Sequence, residues 1–228
     1  METSSDRATD GQTVLALARS RVLAEAAGVA TVVESLDESF LTAARLIYGC
    51  SGKVFVTGSG TSGTIARRMA HLFSVSGTPS VFLPAMDALH GTLGVVTEGD
   101  LLIVISKGGG SVELNDLAVR AKDRGAGIVA VTCRLDTPLT AVADLVLVAG
   151  ADESLDLGGM IAMGSTLAHA ALGDALAVVL MRARDHSWAT VHHLHPGGAV
   201  GAKTELPEAA PALTLQPLAL CDLRAPSR

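Results

Sequence analysis

The stretch that decides the fold is Val54–Phe73, VFVTGSGTSGTIARRMAHLF. A short apolar, β-branched run enters it, a glycine-rich turn with Gly58-x-Gly60-x-x-Gly63 follows, and a helix-like segment leaves it. Strand, glycine turn and helix in that order let backbone approach a ligand closely and offer it the unpaired N–H groups of a helix N-terminus. The same spacing is a dinucleotide fingerprint, but only with an acidic residue after the second strand to take the ribose hydroxyls. Asp87 is the available candidate, and it follows Pro84-Ala-Met instead of ending a strand. A nicotinamide cofactor is therefore poorly supported, and no cofactor is expected.

Outward from this turn, short β-branched runs recur at 54–57, 80–83, 101–106, 128–132 and 145–148. Helical segments at 64–76 and 112–124 and a short turn at 139–143 separate most of them. Strands alternating with crossover helices predict an α/β domain, a parallel sheet with helices on both faces. Right-handed crossovers place the strand C-termini along one edge, where such sheets bind ligands. Before the first strand, residues 14–33 read as a helix, and Ser35-Leu-Asp-Glu38 matches a capping box that would start a second. Residues 1–12 read as a disordered leader, 13–203 as the domain, and 204–228, with four prolines, as an irregular tail.

Composition agrees with this class. Of 228 residues 49% are hydrophobic but only 3% aromatic, so Ala, Val, Leu and Ile must build the core. A net charge of −6 argues against nucleic acid as a partner. Cys50, Cys133 and Cys221 lack metal-site spacing and read as reduced thiols of a cytoplasmic protein. The histidines near the C-terminus show no metal-ligand pattern, and no metal is expected. Residues 158–181 are long and apolar enough to span a bilayer, but His169, Asp174 and many small residues favour a helix buried in protein. No membrane partner is expected.

A second glycine loop sharpens the reading. IVISKGGGSVELN, residues 103–115, repeats the pattern of strand, serine, glycines, serine and helix. Two such loops would surround one small anionic ligand, whereas a dinucleotide half-site needs one. Glu113 falls in the first turn of the following helix. It reads either as a carboxylate stabilised by the helix dipole or as a base held near the ligand.

Four separated blocks, residues 54–83, 87–106 (DALHGTLGVVTEGDLLIVIS), 173–184 (GDALAVVLMRAR) and 195–201 (HPGGAVG), resemble the sugar isomerase (SIS) domain. Within it they most resemble the arabinose 5-phosphate isomerases. The resemblance implies a three-layer α/β/α sandwich on a five-stranded parallel sheet. It also implies homo-oligomers, dimers or tetramers, with sites between subunits, and aldose–ketose isomerisation of a sugar phosphate through an enediol. A non-catalytic sugar-phosphate sensor is the alternative. CBS domains, which often follow in that family, would not fit in this chain. By the same resemblance, Glu113, His195, Glu153 and His90 fall on acid–base positions. Gly60, Thr61, Ser62, Ser106, Lys107, Gly108, Ser111, Ser165 and Thr166 fall on substrate-binding positions. Two departures stand out: Thr61 replaces a family lysine, and Ser106-Lys-Gly-Gly-Gly-Ser111 replaces a loop like SNSGES. Lys107 is expected either to take over the missing lysine's charge or to accompany a changed substrate.

Overall fold

The computed structural model describes residues 11–224. The first ten residues, and with them most of the expected leader, lie outside the described residues. Helix α1 (Gly11–Ala30) runs into a 3-10 turn (Thr31–Ser35), and α2 (Glu38–Gly49) follows. The α/β core then reads β1 (Val54–Gly58), α3 (Gly60–Val75), β2 (Ser80–Phe82), α4 (Ala85–Leu89), β3 (Leu101–Ile105), α5 (Val112–Asp123), β4 (Gly127–Thr132), α6 (Pro138–Val142) and β5 (Leu145–Val148). After a long loop come α7 (Gly164–Ala183), α8 (Trp188–Leu194), α9 (Gly198–Gly201) and α10 (Leu220–Arg224).

All five strands are parallel, in the order β2-β1-β3-β4-β5. Period-two alternation sorts their side chains into two cores. Val54, Val56, Leu101, Ile103, Ile105, Val129 and Val131 face α2, α3 and α7. Phe55, Leu102, Val104, Ile128 and Ala130 face α4, α5 and α6. This is the expected three-layer sandwich, with β1, β3 and β4 buried on both faces. Strands buried on both sides must be continuously apolar.

Three readings need correction. The cap of α2 is Asp37, whose carboxylate accepts from Ser39 N at 2.8 Å and Phe40 N at 3.3 Å, and Ser35 closes the preceding 3-10 turn. Asp at the N-cap satisfies two orphan donors directly, so the Ser/Glu box is not needed. Helix α3 begins at Gly60, four residues before the expected start, because the glycine turn is itself helical after one left-handed residue, Gly60 at φ +56°. The tail is also not wholly irregular. Leu213 N donates to Arg182 O, Leu218 N to Arg45 O, and Leu215, Leu218 and Leu223 pack on the core facing α2 and α7. Its prolines hide this docking from a periodicity reading, because the bonds go to other segments and leave no repeat along the tail.

By length and composition α7 could cross a membrane. In the fold it lies against α1, α2 and α3, and its Asp174 pairs with Arg68 of α3 at 2.9 Å. Its far end is anchored beneath the sheet, where Arg184 donates to the Ile47 carbonyl at 3.0 Å and to Thr78 Oγ1 at 3.1 Å.

Candidate functional site

Strand β1 lies between β2 and β3, so the chain leaves it towards both sides of the sheet. The helix after β1 covers one face and the helix after β3 the other. The crevice between them, at the C-terminal ends of the strands, is the topological switch point where open α/β sheets hold ligands. Gly58 pairs with Ile105 in register, so both glycine loops leave the sheet at the same height.

Close backbone packing shapes the first loop. A Cβ on Gly63 would lie 2.8 Å from the Gly58 carbonyl oxygen, and one on Gly58 would lie 2.9 Å from the Ser62 carbonyl. These contacts are with backbone, which cannot swing aside. Gly63→Ala is therefore expected to destabilise the fold, since about 1–3 kcal/mol of overpacking outweighs about 1 kcal/mol of helix propensity gained. Chemical denaturation measures this; a stabilised variant would show that the loop yields.

Neither helix N-terminus at the crevice is closed by a side chain. Ser59 caps α3 and Ser111 caps α5, both without a side-chain hydrogen bond. Their first-turn N–H groups and the Ser111 hydroxyl are left for a ligand to meet. Ser62 and Ser106 are buried at the roots of the loops, while Gly60, Thr61, Gly108 and Gly110 are exposed along the rim. In the glycine run only Gly109 is confined, at φ +63° with the Thr137 side chain standing where a Cβ would go. Glu113 stands in the first turn of α5, half-buried, and its carboxylate has no hydrogen-bond or ion-pair partner among the described residues.

The loop before α7 closes the far side. Asp156, 2% exposed, accepts from Met163 N at 2.7 Å, Ser165 N at 3.1 Å and Ser165 Oγ at 2.6 Å, and pairs with Lys107 Nζ at 2.6 Å. Burial opposes its charge, but these donors win and hold the carboxyl down at about 2. The Ser165 hydroxyl is thus engaged with Asp156, and the Thr166 hydroxyl with the Met163 carbonyl at 2.8 Å. Glu153 is exposed in a 3-10 turn and paired with Arg134. Beneath them lies a pair that the sequence did not single out: His169 Nε2 is 3.1 Å from the Ala149 carbonyl and 3.5 Å from Cys133 Sγ. Burial pushes the Cys133 thiol up to about 11, so it stays protonated at neutral pH.

Two expected residues stand apart from the loops. His90 caps the C-terminus of α4, outside the two loops, on the β2 side of the crevice. His195 ends α8, beyond the far end of α7; at ~1.5 Å per residue that 20-residue helix spans about 30 Å. One chain therefore does not bring His195 to its own crevice. Nδ1 of His195 lies 2.9 Å from the Val191 carbonyl and must donate to it, which leaves Nε2 as the basic nitrogen.

Comparison with known proteins agrees with this architecture. The SIS domain model matches residues 47–179. The chain is 34% identical over 185 residues to arabinose 5-phosphate isomerase GutQ of Salmonella typhimurium, covering 81% of this chain and 58% of that protein. It is 38% identical over 194 residues to arabinose 5-phosphate isomerase KdsD of Shigella flexneri, covering 85% and 57%. The chain thus spans somewhat over half the length of these curated relatives. Among solved structures, an Escherichia coli CFT073 protein in complex with arabinose 5-phosphate superposes with a TM-score of 0.79 at 28% identity, covering 82% of this chain and 100% of that one.

Proposed function

The chain belongs to the SIS domain family, and from that premise we propose that it is an aldose–ketose isomerase of a sugar phosphate, of the arabinose 5-phosphate isomerase kind. The observation that carries this reading is the pair of uncapped glycine–serine loops at the switch point, with the unpaired Glu113 carboxylate in the first turn beside them. A phosphate is held by backbone N–H groups at the starts of α3 and α5 and by the hydroxyls of Thr61, Ser62, Ser106 and Ser111, with Gly60 and Gly108 allowing close approach. The Escherichia coli CFT073 relative, solved with arabinose 5-phosphate, supports a ligand of this class.

The chemistry then needs a base that moves one proton between adjacent carbons. Glu113 removes the proton from C2 of the open-chain aldose as the C1–C2 double bond forms and O1 is protonated. Loss of the O2 proton regenerates a carbonyl at C2, and the proton held by Glu113 returns to C1. Atoms and electrons balance without a redox partner, so the proposal includes no cofactor. Glu153 and His90 are supporting acid–base groups at the rim.

His195 opens the sugar ring, and it comes from a second copy of the chain. The length of α7 and the open rim of the crevice in one chain support a homo-oligomer, a dimer or tetramer, with each site completed by a neighbour.

Incubating the protein with pentose and hexose phosphates in deuterium oxide tests the proposal. One substrate is expected to acquire deuterium at C1 or C2 as it is isomerised. Tight binding of sugar phosphates with no exchange for any of them would replace the isomerase by a sensor.

A further inference from the structure

Lys107 is a basic residue in the second glycine loop, at the crevice, and its surroundings are unusual. Its backbone is pinned to β4, since the Lys107 carbonyl accepts from Cys133 N at 3.0 Å and from Thr132 Oγ1 at 3.1 Å. Its ammonium turns the other way, to Asp156 at 2.6 Å and to the Gly159 carbonyl at 3.0 Å. One residue thus joins three segments: the second glycine loop, the end of β4, and the loop that leads into α7.

The joined loop has little else to hold it on this side. Residues 157–161 form a tight hairpin with one antiparallel bridge, Leu157 to Ile161, and two left-handed glycines, Gly158 and Gly159. Its side chains point away from the core: Leu157, Met160 and Ile161 are all exposed, Met160 at 88%. What fixes the hairpin is its root. Asp156 accepts four hydrogen bonds, three from the start of α7 and one from Lys107.

Could Lys107 leave this pair for a substrate phosphate? Doing so would leave a buried carboxylate without its counter-charge, although its three bonds from the start of α7 remain, and breaking such a pair from one side is unfavourable. A phosphate at the crevice is already met by the N–H groups of two helix N-termini.

We infer that Lys107 is a positioning residue: through Asp156 and Gly159 it fastens the 157–161 hairpin and the N-terminus of α7 to the second glycine loop, so that opposite walls of the crevice are set as one unit. It does not stand in for the missing first-loop lysine. This rests on the isomerase reading for its catalytic consequence, but not for its structural one.

The test compares Lys107→Met, Lys107→Arg and Asp156→Asn with the unmodified chain. Three quantities are read: amide hydrogen exchange at residues 159–165, the Kd for inorganic phosphate, and kcat and KM for the sugar phosphate found in the deuterium screen. Lys107→Met and Asp156→Asn are expected to speed exchange at Gly159, Met163 and Ser165 by about tenfold or more, as local opening no longer breaks an ion pair. Both should lower kcat by roughly tenfold while the Kd for phosphate and KM stay within about threefold, and Lys107→Arg should recover most of the loss. Phosphate binding weakened tenfold by Lys107→Met, with exchange unchanged, would make Lys107 an anion ligand and overturn the inference. Unchanged exchange in both variants overturns it equally, and Lys107→Met leaves the buried carboxylate in place if Asp156→Asn does not fold. If the unmodified chain turns over no sugar phosphate, the isomerase reading fails, while exchange and phosphate binding still decide the role of Lys107.

Discussion

Replacing Glu113 with Gln is expected to lower kcat by roughly 10²–10⁴-fold and to remove solvent deuterium from both substrate and product, because a positioned general base contributes on that scale. Gln keeps the size and the polar reach of the side chain but cannot take a proton. The Glu113 carboxylate has no protein partner among the described residues, so the substitution breaks no ion pair and leaves no buried group stranded. The fold should therefore keep its stability, and the Kd for inorganic phosphate should stay within about threefold, since the loss falls on a step made in the transition state. If instead the variant retains exchange at C1 or C2, Glu113 is only a first-turn carboxylate stabilised by the helix dipole.

The second large effect concerns stability against pH. His169 is fully buried in α7, and its Nε2 must donate to the Ala149 carbonyl because that oxygen can only accept. Nδ1 is then bare and has no partner among the described residues. Desolvation is the main cause that lowers this imidazole to about 4, against a smaller upward pull from the Ala149 bond and the Asp156 charge. In the unfolded chain His169 takes up its proton near 6.5, whereas in the folded chain it stays neutral down to about 4. Its contribution is therefore complete above pH ~6.5, falls as pH drops between ~6.5 and ~4, and amounts to about 3 kcal/mol at roughly 1.4 kcal/mol per pKa unit. Gln at this position can reach the same carbonyl with its amide and does not titrate. His169→Gln is expected to be less stable at pH 7 but to show a flatter profile between pH ~6.5 and ~4, as read by urea unfolding. Equal slopes for the two proteins would mean that His169 is not held neutral.

Asp156 adds a separate acid-side loss. Its carboxyl, held at about 2 against an ordinary 3.8, stabilises the fold above pH ~4 and ceases to as pH falls through about 2. The two groups lose their contributions in adjoining windows and can be told apart by where the profile bends.

How much of this was legible without coordinates? The strands β1, β3 and β4 were, because a strand buried on both faces must be a continuous apolar run, and the partly buried edge strands β2 and β5 also stand out as short runs between helical stretches. The two glycine loops were as well, since both demand glycine for contacts that any Cβ would break, as at Gly63 and Gly109. With the resemblance to a family, those features led to the α/β/α sandwich and to the candidate residues around the crevice. One short motif by itself decides less. Ser35–Glu38 matched a capping box, yet Asp37 sits where the backbone turns into α2 and takes the donors itself.

Lys107, Asp156 and His169 mark what the chain order could not reveal. Lys107 and Asp156 are far apart in sequence and no periodicity joins them, yet the ends of β3 and β5 and the start of α7 carry them to 2.6 Å. In the sequence His169 is one polar residue in an apolar helix, and only its burial against Ala149 and Cys133 makes it a neutral, pH-sensitive group. Likewise HPGG announced a candidate histidine, but the direction and length of α7 decide that it lies at the other end of the molecule. Local patterns report what each segment must be, because backbone geometry and burial act over a few residues. Which charge meets which, and how far a side chain stands from the crevice, are set by crossovers that bring distant segments together.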